Sequence, residues 1–508
     1  MSNGIRRRDL RGYQKHFIKH IYNNEATILA IEMGGGKSVT ALTAMDDLLE
    51  DGIVRRVLII APLLVAKATF PDEFSDWAHL SHIDWSLIRA EDEDDDVIAG
   101  RQSEYRFARD TIGLAASDAA KWANRHKSKV KEWKRRRIAT DGAEVHIINK
   151  EALPWLWDYF GNGKNWPYDM IIVDEASVFK NAKKRTKLKQ LSIFGAAAKA
   201  RKLTKRIVLM TGTPAPKGLR NLWGLAYIAD LGERLGTSRT KFEQRWFEAD
   251  YMGWNLTPRQ GAEKQITDKL SDIMFSLDDD DYPELPPLLP KTFKVDLPPK
   301  ALKEYHRFEK TLVSELWDVE AVNNGVLAGK LLQAANGSIY DEDGRDIHIH
   351  DEKLHALEEI VEQANGQPIL VGYNFKFDLA RIQKRFKKAI VFGQGDVRKQ
   401  KAAWNNGEID MLLAHPQSVG HGQNLQFGGN IMVFYGLLHD LEIYLQFRKR
   451  LHRPGQKRPV TVHHIIARGT YDEDMLPLLS DRSQTQDSIM RAFRVNLIDK
   501  YRESRANF

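Results

Sequence analysis

The order of apolar and polar positions predicts a chain built from two similar halves. In each half, short apolar runs alternate with stretches in which apolar residues recur every three or four positions, the spacing of an amphipathic helix. Continuously apolar strands separated by helices are typical of a parallel sheet buried on both faces. The expected strands are 26–32, 54–61, 145–149, 170–173 and 207–210 in the first half, and 369–373, 389–392, 411–414, 431–435 and 460–467 in the second.

The helical stretches of the second half are expected at 299–336, 352–365, 377–387 and 441–452. The fold class is therefore predicted to be α/β, with two parallel-sheet units in tandem. Two such units create a cleft between them, and ligands of parallel sheets bind at the carboxyl ends of the strands. The cleft is the expected place for chemistry.

Changes in composition set the expected domain boundaries. The first unit is expected at 1–230, with a charged, tryptophan-containing helical insertion at about 76–141. The region 231–290 is expected to be an inserted or linking segment that ends in a proline-rich run. The second unit is expected at 291–480 and a basic C-terminal helix or tail at 481–508. Because the chain has 508 residues, it exceeds the size of a single core.

Composition narrows the functional classes. The chain has no cysteine, which excludes disulfides, thiolate catalysis and cysteine-ligated zinc, and it has no apolar run long enough to span a membrane. We expect a monomer in the cytosol. The net charge of +7 permits a polyanionic partner without requiring one. Basic residues cluster at 6–8, 127–137, 180–206 and 449–458, and the acidic block 91–96 is expected to be a solvated loop.

A glycine-rich turn, Glu32-Met33-Gly34-Gly35-Gly36-Lys37-Ser38, follows the first expected strand and precedes a helix. Glycines let a backbone wrap closely around a phosphate, and the amides at a helix N-terminus bind the anion. Lys37 is placed to reach the β- and γ-phosphates of a nucleotide, and the Ser38 hydroxyl to bind Mg²⁺. The strict phosphate-loop pattern would have glycine at Ile31, so a flexible turn is the alternative.

Two carboxylates, Asp174 and Glu175, end the apolar strand at 170–173. Adjacent acids at a buried strand end repel each other unless a cation or another partner is present. Asp174 suits a Mg²⁺ ligand, and Glu175 suits the positioning or deprotonation of an attacking water. Acids that cap the next helix are the alternative.

The segment 446–456 carries a third set of polar groups. Helical spacing places Gln446, Arg450 and Arg453 on one face of a helix that stops at Pro454 and Gly455. If the partner of these guanidiniums is a triphosphate, they neutralise charge that develops during phosphoryl transfer. A solvated basic helix is the alternative.

Taken in order, these motifs resemble those of superfamily 2 helicases, and most closely the SNF2-like ATPases of the compact phage and bacterial type. The segments that carry the resemblance are 10–14 (glutamine motif), 32–38 (motif I), 59–63 (motif Ia), 149–151 (the motif after it), 174–177 (the DEAH-type box), 211–214 (motif III), 330–337, 418–425 (motif V) and 446–456 (motif VI). Ser177 stands where the family usually has histidine, which leaves open how the acidic box is coupled to motif III.

The resemblance implies two RecA-like lobes that bind ATP and Mg²⁺ in the cleft between them. The residues implied in nucleotide binding are Gln14, Met33, Gly34, Gly35, Gly36, Lys37, Ser38 and Gly422, with Mg²⁺ on Ser38 and Asp174. The residues implied in catalysis are Lys37, Asp174, Glu175, Gln446, Arg450 and Arg453.

The function implied is a nucleic-acid-dependent ATPase that moves along DNA. Duplex DNA is favoured as the track, a single strand is the second choice, and RNA remains open because nothing in the sequence reports a contact to a 2′-hydroxyl. A helicase that separates strands is the alternative, followed by the motor subunit of a nuclease or restriction system. A non-catalytic ATP-binding switch is disfavoured because Glu175, Arg450 and Arg453 are intact.

Overall fold

The computed structural model describes residues 5–32, 34–91, 94–182, 191–215, 218–249, 256–277, 285–316, 324–341, 343–418, 424–438 and 440–481. These residues form two parallel sheets, which confirms the predicted α/β fold class with two parallel-sheet units in tandem. Alternate residues of each central strand enter opposite cores. In the first lobe, for example, Ile28 packs on one side of the sheet and Leu29 on the other.

The first lobe contains β1 (Ala26–Ala30), β2 (Val57–Ala61), β3 (Trp85–Leu87), β4 (Val145–Asn149), β5 (Met170–Asp174), β6 (Arg206–Thr211), β7 (Phe247–Ala249), β8 (Leu256–Pro258) and β9 (Met274–Ser276). Its helices are α1 (Gly12–Asn23), α2 (Lys37–Glu50), α3 (Phe70–Asp76), α4 (Asp95–Arg106), α5 (Ala116–Ala139), α6 (Leu153–Tyr159), α7 (Ile193–Arg201), α8 (Leu222–Asp230), α9 (Arg239–Trp246) and α10 (Ala262–Leu270). Seven strands pair in the order β3-β4-β2-β5-β6-β1-β9, and β7 and β8 form a separate hairpin.

The second lobe contains β10 (Leu288–Val295), β11 (Ser338–Tyr340), β12 (Asp346–His348), β13 (Ile369–Gly372), β14 (Ile390–Val391), β15 (Met411–Ala414), β16 (Ile431–Phe434) and β17 (Val460–Ala467). Its helices are α11 (Pro299–Leu316), α12 (Asn324–Ala335), α13 (Glu352–Gln363), α14 (Lys376–Arg385), α15 (Val397–Asn405) and α16 (Leu441–Arg448). Six strands pair in the order β10-β17-β16-β13-β15-β14, and β11 and β12 form a separate hairpin.

Three strands of the two sheets were not predicted. β3 lies in the segment expected to be a helical insertion, and β9 lies in the expected linker yet pairs with β1. β10 begins inside the proline-rich run and includes Pro290. It is an edge strand, where a residue without an N–H is tolerated, so the prolines did not exclude a strand there. The expected domain boundaries themselves stay a prediction.

The stretch 299–336 contains the helices α11 and α12, as predicted, whereas another expectation was wrong in detail. Within the acidic block, Asp95 and Asp96 begin α4 and do not belong to a loop, and Asp96 forms ion pairs with Lys134 and Arg137 of α5. Repulsion within this acidic cluster is therefore relieved by basic side chains of the neighbouring helix.

A buried polar cluster fixes the core of the second lobe. Lys353 is fully buried and its Nζ lies 2.5 Å from Asp472 Oδ2, which gives the cation a counter-charge. The same Nζ donates to Asn336 Oδ1 at 2.8 Å, and Asn336 Nδ2 donates to Asp378 Oδ2 at 2.9 Å. Asn336 belongs to the segment 330–337 that carried part of the family resemblance, and the structure places it among structural contacts.

None of the helices in the described ranges combines the length and the apolar character needed to cross a membrane.

Candidate active site

The glycine-rich turn lies between β1 and α2, at the carboxyl end of the central strand. Gly36 has φ +68°, a left-handed conformation that favours glycine, and it precedes the first residue of α2, Lys37. Lys37 Nζ donates to the carbonyl oxygen of Ile31 at 2.6 Å. Burial lowers the pKa of Lys37, while the nearby Glu175 and Asp174 act in the opposite direction. The lysine is thus held under the loop, beside the carboxylates that follow β5.

The start of α1 packs against the same turn. Gln14 Oε1 accepts a hydrogen bond from the backbone N–H of Arg11 at 2.7 Å, and Gln14 Nε2 donates to Gly36 O at 3.3 Å. The Tyr13 hydroxyl donates to Gly35 O at 3.1 Å. The glutamine motif therefore contacts the glycine-rich turn directly, although 22 residues of sequence separate the paired groups.

The acid pair occupies the carboxyl end of β5. Glu175 is in the left-handed region with φ +54°, a strained conformation for a residue with a side chain. Burial raises the pKa of both acids, and Lys37 opposes the shift for Asp174. For Glu175, the pKa reaches about 8, and the charge of Glu442 from the second lobe adds to the effect of burial. Backbone strain and the burial of ionisable side chains are typical of functional groups that require a particular position.

Ser177 connects the acid pair to the second lobe. Its Oγ lies 3.2 Å from Glu175 Oε1 and also contacts Glu442 Oε1. The single hydroxyl proton can be donated to only one carboxylate at a time. Lys180 pairs with the other oxygen of Glu442, and Gln446 Nε2 lies 3.4 Å from Glu442 Oε1. The residue that departs from the family pattern therefore lies at a polar contact between the lobes.

Motif III also reaches the acid pair. Thr211 Oγ1 lies 3.4 Å from Glu175 Oε1 and accepts a hydrogen bond from the backbone N–H of Thr213 at 3.1 Å. A Cβ at Gly212 would lie 3.8 Å from Lys37 Nζ. Motif III therefore contacts the acid pair directly through Thr211, whereas Ser177 contacts Glu175 from within the acidic box.

The prediction of one helix through Gln446, Arg450 and Arg453 was wrong. The helix α16 ends at Arg448, and the chain continues through tight turns in which the N–H of Arg450 bonds to Phe447 O at 2.9 Å. The three residues nevertheless face the first lobe. Arg450 and Arg453 line the same cavity as Lys37, whereas Gln446 lines a small adjoining cavity with Glu175.

The two arginines are held in costly surroundings. Arg450 is fully buried, and its Nε donates to Gln446 O at 3.1 Å. Burial lowers the pKa of Arg450 to about 9 and that of Arg453 to about 10. Arg453 Nε is buried without a hydrogen-bond partner among the described residues, and a Cβ at Gly34 would lie 3.4 Å from it. Cations in such a position are stabilised by an anion bound at the glycine-rich turn.

The glycine-rich turn, Gln14, the acid pair, Arg450 and Arg453 surround one cavity of about 430 Å³, a volume typical of small-molecule sites. Its charged lining consists of Arg11, Lys37, Arg450 and Arg453 together with Asp9, Glu32, Glu73, Asp174 and Glu175. Carboxylates outnumber cations in this lining. The acid pair lies beside the glycine-rich turn, so a divalent cation bound between them would reduce the repulsion between ionised carboxylates and a triphosphate.

The predicted site residues fall into three groups. Gln14, Gly34, Gly36, Lys37, Ser38, Asp174, Glu175, Arg450 and Arg453 line the cavity. Gly35 belongs to the same turn and Gln446 adjoins it, whereas Met33 and Gly422 lie outside the described residues.

Three residues at the candidate site were not predicted from the sequence. Glu442 and Lys180 were not singled out, nor was Lys449, which forms an ion pair with Glu32 across the cleft. A signal was available for Glu442, because it lies one helical turn before Gln446 and therefore on the same face of α16.

Comparison with known proteins identifies the family. A family model described as the SNF2-related domain matches residues 13–338. A protein of Acyrthosiphon pisum secondary endosymbiont phage 1, named p41, is 36% identical over 498 residues, which cover 95% of this chain and 98% of the phage protein. The chain belongs to the SNF2-related family. As a member of this family, the chain is an ATP hydrolase.

More distant relatives of this SNF2-related chain are larger proteins. The CHD3-type chromatin-remodeling factor PICKLE of Arabidopsis thaliana is 21% identical, and the match covers 96% of this chain but only 34% of PICKLE. Among solved structures, the Sulfolobus solfataricus SWI2/SNF2 ATPase core in complex with dsDNA is 18% identical with a TM-score of 0.39, covering 95% of this chain and 93% of that one.

Proposed function

We propose that this chain is a DNA-dependent ATPase that couples ATP hydrolysis to movement along duplex DNA. The observation that carries the proposal is a single cavity lined by Lys37 and the acid pair from the first lobe and by Arg450 and Arg453 from the second. Groups from both lobes are needed to surround one nucleotide, so its hydrolysis and release can change the relation between the lobes.

Within this proposal each side chain has a defined role. Lys37 binds the β- and γ-phosphates, Gln14 contacts the adenine, and Glu175 orients and deprotonates the attacking water. Arg450 and Arg453 stabilise the charge that develops on the transferred phosphoryl group. Gln446 lies against Glu442, which contacts Ser177, and it helps to place the arginine-bearing turn against the acid pair.

Mg²⁺ fits the residues present. Ser38 is the second residue of α2, and Asp174 is the last residue of β5. Both residues line the cavity. A hydroxyl and a carboxylate are ligands that Mg²⁺ prefers, with the remaining positions supplied by water and phosphate oxygens. The bound cation would also offset the excess of carboxylates in the lining. When bound, it supplies positive charge to the phosphates.

Duplex DNA is the proposed track. The segment 59–63 includes the end of β2, and the segment 149–151 begins at the last residue of β4, so both lie at the carboxyl edge of the first sheet, the edge that also carries the proposed nucleotide cavity. Contacts from these segments to phosphates would be independent of base sequence and sensitive to salt. The predicted cytosolic location and monomeric state stay predictions.

The test is ATP hydrolysis with and without DNA. We expect duplex DNA to stimulate the wild-type protein and Lys37→Ala to abolish the stimulated rate, because a buried phosphate-binding cation is lost. Lys264→Ala, which removes an exposed lysine of α10, is the control and should leave the rate unchanged. Unchanged stimulated hydrolysis in Lys37→Ala would refute the proposed site.

The mode of movement is tested separately. A translocase displaces the third strand of a triplex without unwinding a forked duplex, whereas a strand-separating helicase unwinds the fork. Rates of ATP hydrolysis measured in parallel with single-stranded DNA, duplex DNA and RNA identify the track. Unwinding of the fork, or stimulation by RNA alone, would overturn the duplex-translocase proposal while leaving the ATPase site intact.

A further inference from the structure

The basic cluster at 127–137 lies on a helical arm that the proposed ATPase site does not use. We define the arm as α4 and α5 with the turn between them, residues 95–139. The two helices are antiparallel: Trp122 of α5 donates to Glu104 near the end of α4, whereas Lys134 of α5 pairs with Asp96 at the start of α4. The turn between the helices is therefore the tip of the arm, and residues 134–139 lie at its base.

Charge is concentrated on one helix of the arm. The 24 residues of α5 include nine Lys and Arg side chains and two acidic ones, so the helix has a net charge of +7. The whole chain of 508 residues has the same net charge. A single helix that holds so large an excess creates a strong local positive potential, which attracts polyanions.

The two faces of α5 differ in composition. The face against α4 carries Ala119, Ala123 and Val130, and Val130 packs closely on Gly100 of α4. The opposite face carries the exposed side chains Lys121, Arg125, Lys129 and Arg136. At a rise of about 1.5 Å per residue, these four cations extend over ~22 Å, roughly the length of six base pairs.

Part of this outward face forms no ion pair among the residues that the structure describes. Lys121 pairs with Asp118, and Arg136 pairs with Glu132. Arg125 and Lys129 lie one helical turn apart between these pairs, and neither forms an ion pair with any residue of the described ranges. Two like charges at this spacing repel each other, a cost that a bound polyanion reverses.

The base of the arm is fixed beside the proposed DNA track. The guanidinium of Arg135 lies 3.9 Å from the ring centre of Trp155, and that of Arg136 lies 5.6 Å from the ring centre of Tyr159. Both aromatic residues belong to α6, which follows the segment 149–151 at the carboxyl end of β4. On the other side, Glu91 before α4 pairs with Lys67, which follows the segment 59–63.

We propose that the outward face of α5 is a second DNA-binding surface, which holds the phosphate backbone of the duplex beyond the contacts made by the two lobes. The inference rests on the proposed function, because it assumes that duplex DNA runs past the segments 59–63 and 149–151. Its contacts are to phosphates and carry no base specificity.

The test compares Arg125→Gln/Lys129→Gln with the wild-type protein in duplex DNA binding at several salt concentrations. Each lost phosphate contact lowers the slope of log K against log salt by about 0.9, so the double variant should have a slope smaller by about 1.8. It should bind more weakly at low salt and approach the wild type at high salt. Basal ATP hydrolysis without DNA should be unchanged, because neither residue lines the cavity.

Lys264→Gln/Lys269→Gln is the matched control. It removes two exposed lysines from α10 and changes the net charge of the protein by the same amount. An unchanged slope in this control together with the reduced slope in the arm variant supports a local contact. Equal slopes in the arm variant and the wild type overturn the inference. Failure of the wild type to bind duplex DNA overturns the proposed function as well, so the two failures are distinguishable.

Discussion

The contact of Ser177 with Glu175 and Glu442 leads to a prediction about pH dependence. Two carboxylates approach one hydroxyl from different lobes, and with an angle near tetrahedral at the hydroxyl oxygen their nearest oxygens are ~5 Å apart. At an effective dielectric constant of about 20, two unit charges at this distance repel each other by ~3 kcal/mol, equivalent to about 2 pKa units. Glu442→Gln removes this repulsion and keeps a side chain of nearly the same shape.

The expected direction follows from the protonation state that catalysis requires. Glu175 must be ionised to accept a proton from water, and burial with the charge of Glu442 raises its pKa to about 8. Values of kcat/KM for ATP should therefore rise with pH as Glu175 ionises, with an acid limb near pH 8 in the wild type. In Glu442→Gln the acid limb should move one to two pH units lower, so near pH 6.5 the variant should retain a larger fraction of its maximal kcat/KM than the wild type does.

A control with the opposite charge change sharpens the assay. Lys180→Gln removes the cation that pairs with Glu442 and leaves the two carboxylates closer to full repulsion. Its acid limb should not move to lower pH. The reasoning is refuted if the acid limb of Glu442→Gln stays at its wild-type position or moves to higher pH while the protein remains folded.

Two further substitutions test the loop and the arginines. Arg453→Ala should leave the Kd for ATP nearly unchanged and lower kcat by about 10³–10⁵-fold, since the guanidinium acts on charge that develops in the transition state. The control is Arg458→Ala, which removes an exposed neighbouring arginine. Loss of ATP binding in Arg453→Ala would mean that Arg453 holds the ground-state nucleotide. Gly36→Ala should cost about 1–2 kcal/mol of stability and weaken ATP binding, because Gly36 has a left-handed φ and its Cβ would lie 2.3 Å from Gln14 Nε2. Gly52→Ala, at φ +65° with open space around it, incurs only the backbone cost, so equal ATP titrations and melting curves for the two variants would contradict the proposed contact.

Local sequence patterns determined much of the fold. Most strands of the two sheets are short, largely apolar runs, and the strands β4, β15 and β17 have the predicted bounds, although β4 contains His146 and β17 contains His463 and His464. These strands are buried on both faces, so almost any polar residue within them would be costly, and the pattern is correspondingly clear. The glycine-rich turn and the acid pair were predicted for a similar reason, because each directly follows such a strand.

Pairing with strands that are distant in the sequence determined the three strands that were not predicted, β3, β9 and β10. β3 and β9 are three residues long, and β10 is an edge strand with a proline, so their own sequences carry little strand signal. They are strands because β4, β1 and β17 offer them backbone hydrogen bonds. A short segment gains this stabilisation only from its neighbour in the sheet.

The sequence by itself determined which groups are available for catalysis, and the tertiary structure decided how they meet. Lys37, Asp174 and Glu175 could be assigned from their places at strand ends, since parallel strands bring their carboxyl ends to one edge. The helix predicted to extend through Arg453 instead ends at Arg448, and the chain then turns toward the first lobe before Arg450. The contact of Ser177 with Glu442 joins residues 265 positions apart, and only the packing of one lobe on the other brings a second carboxylate close to Glu175, the proposed catalytic base.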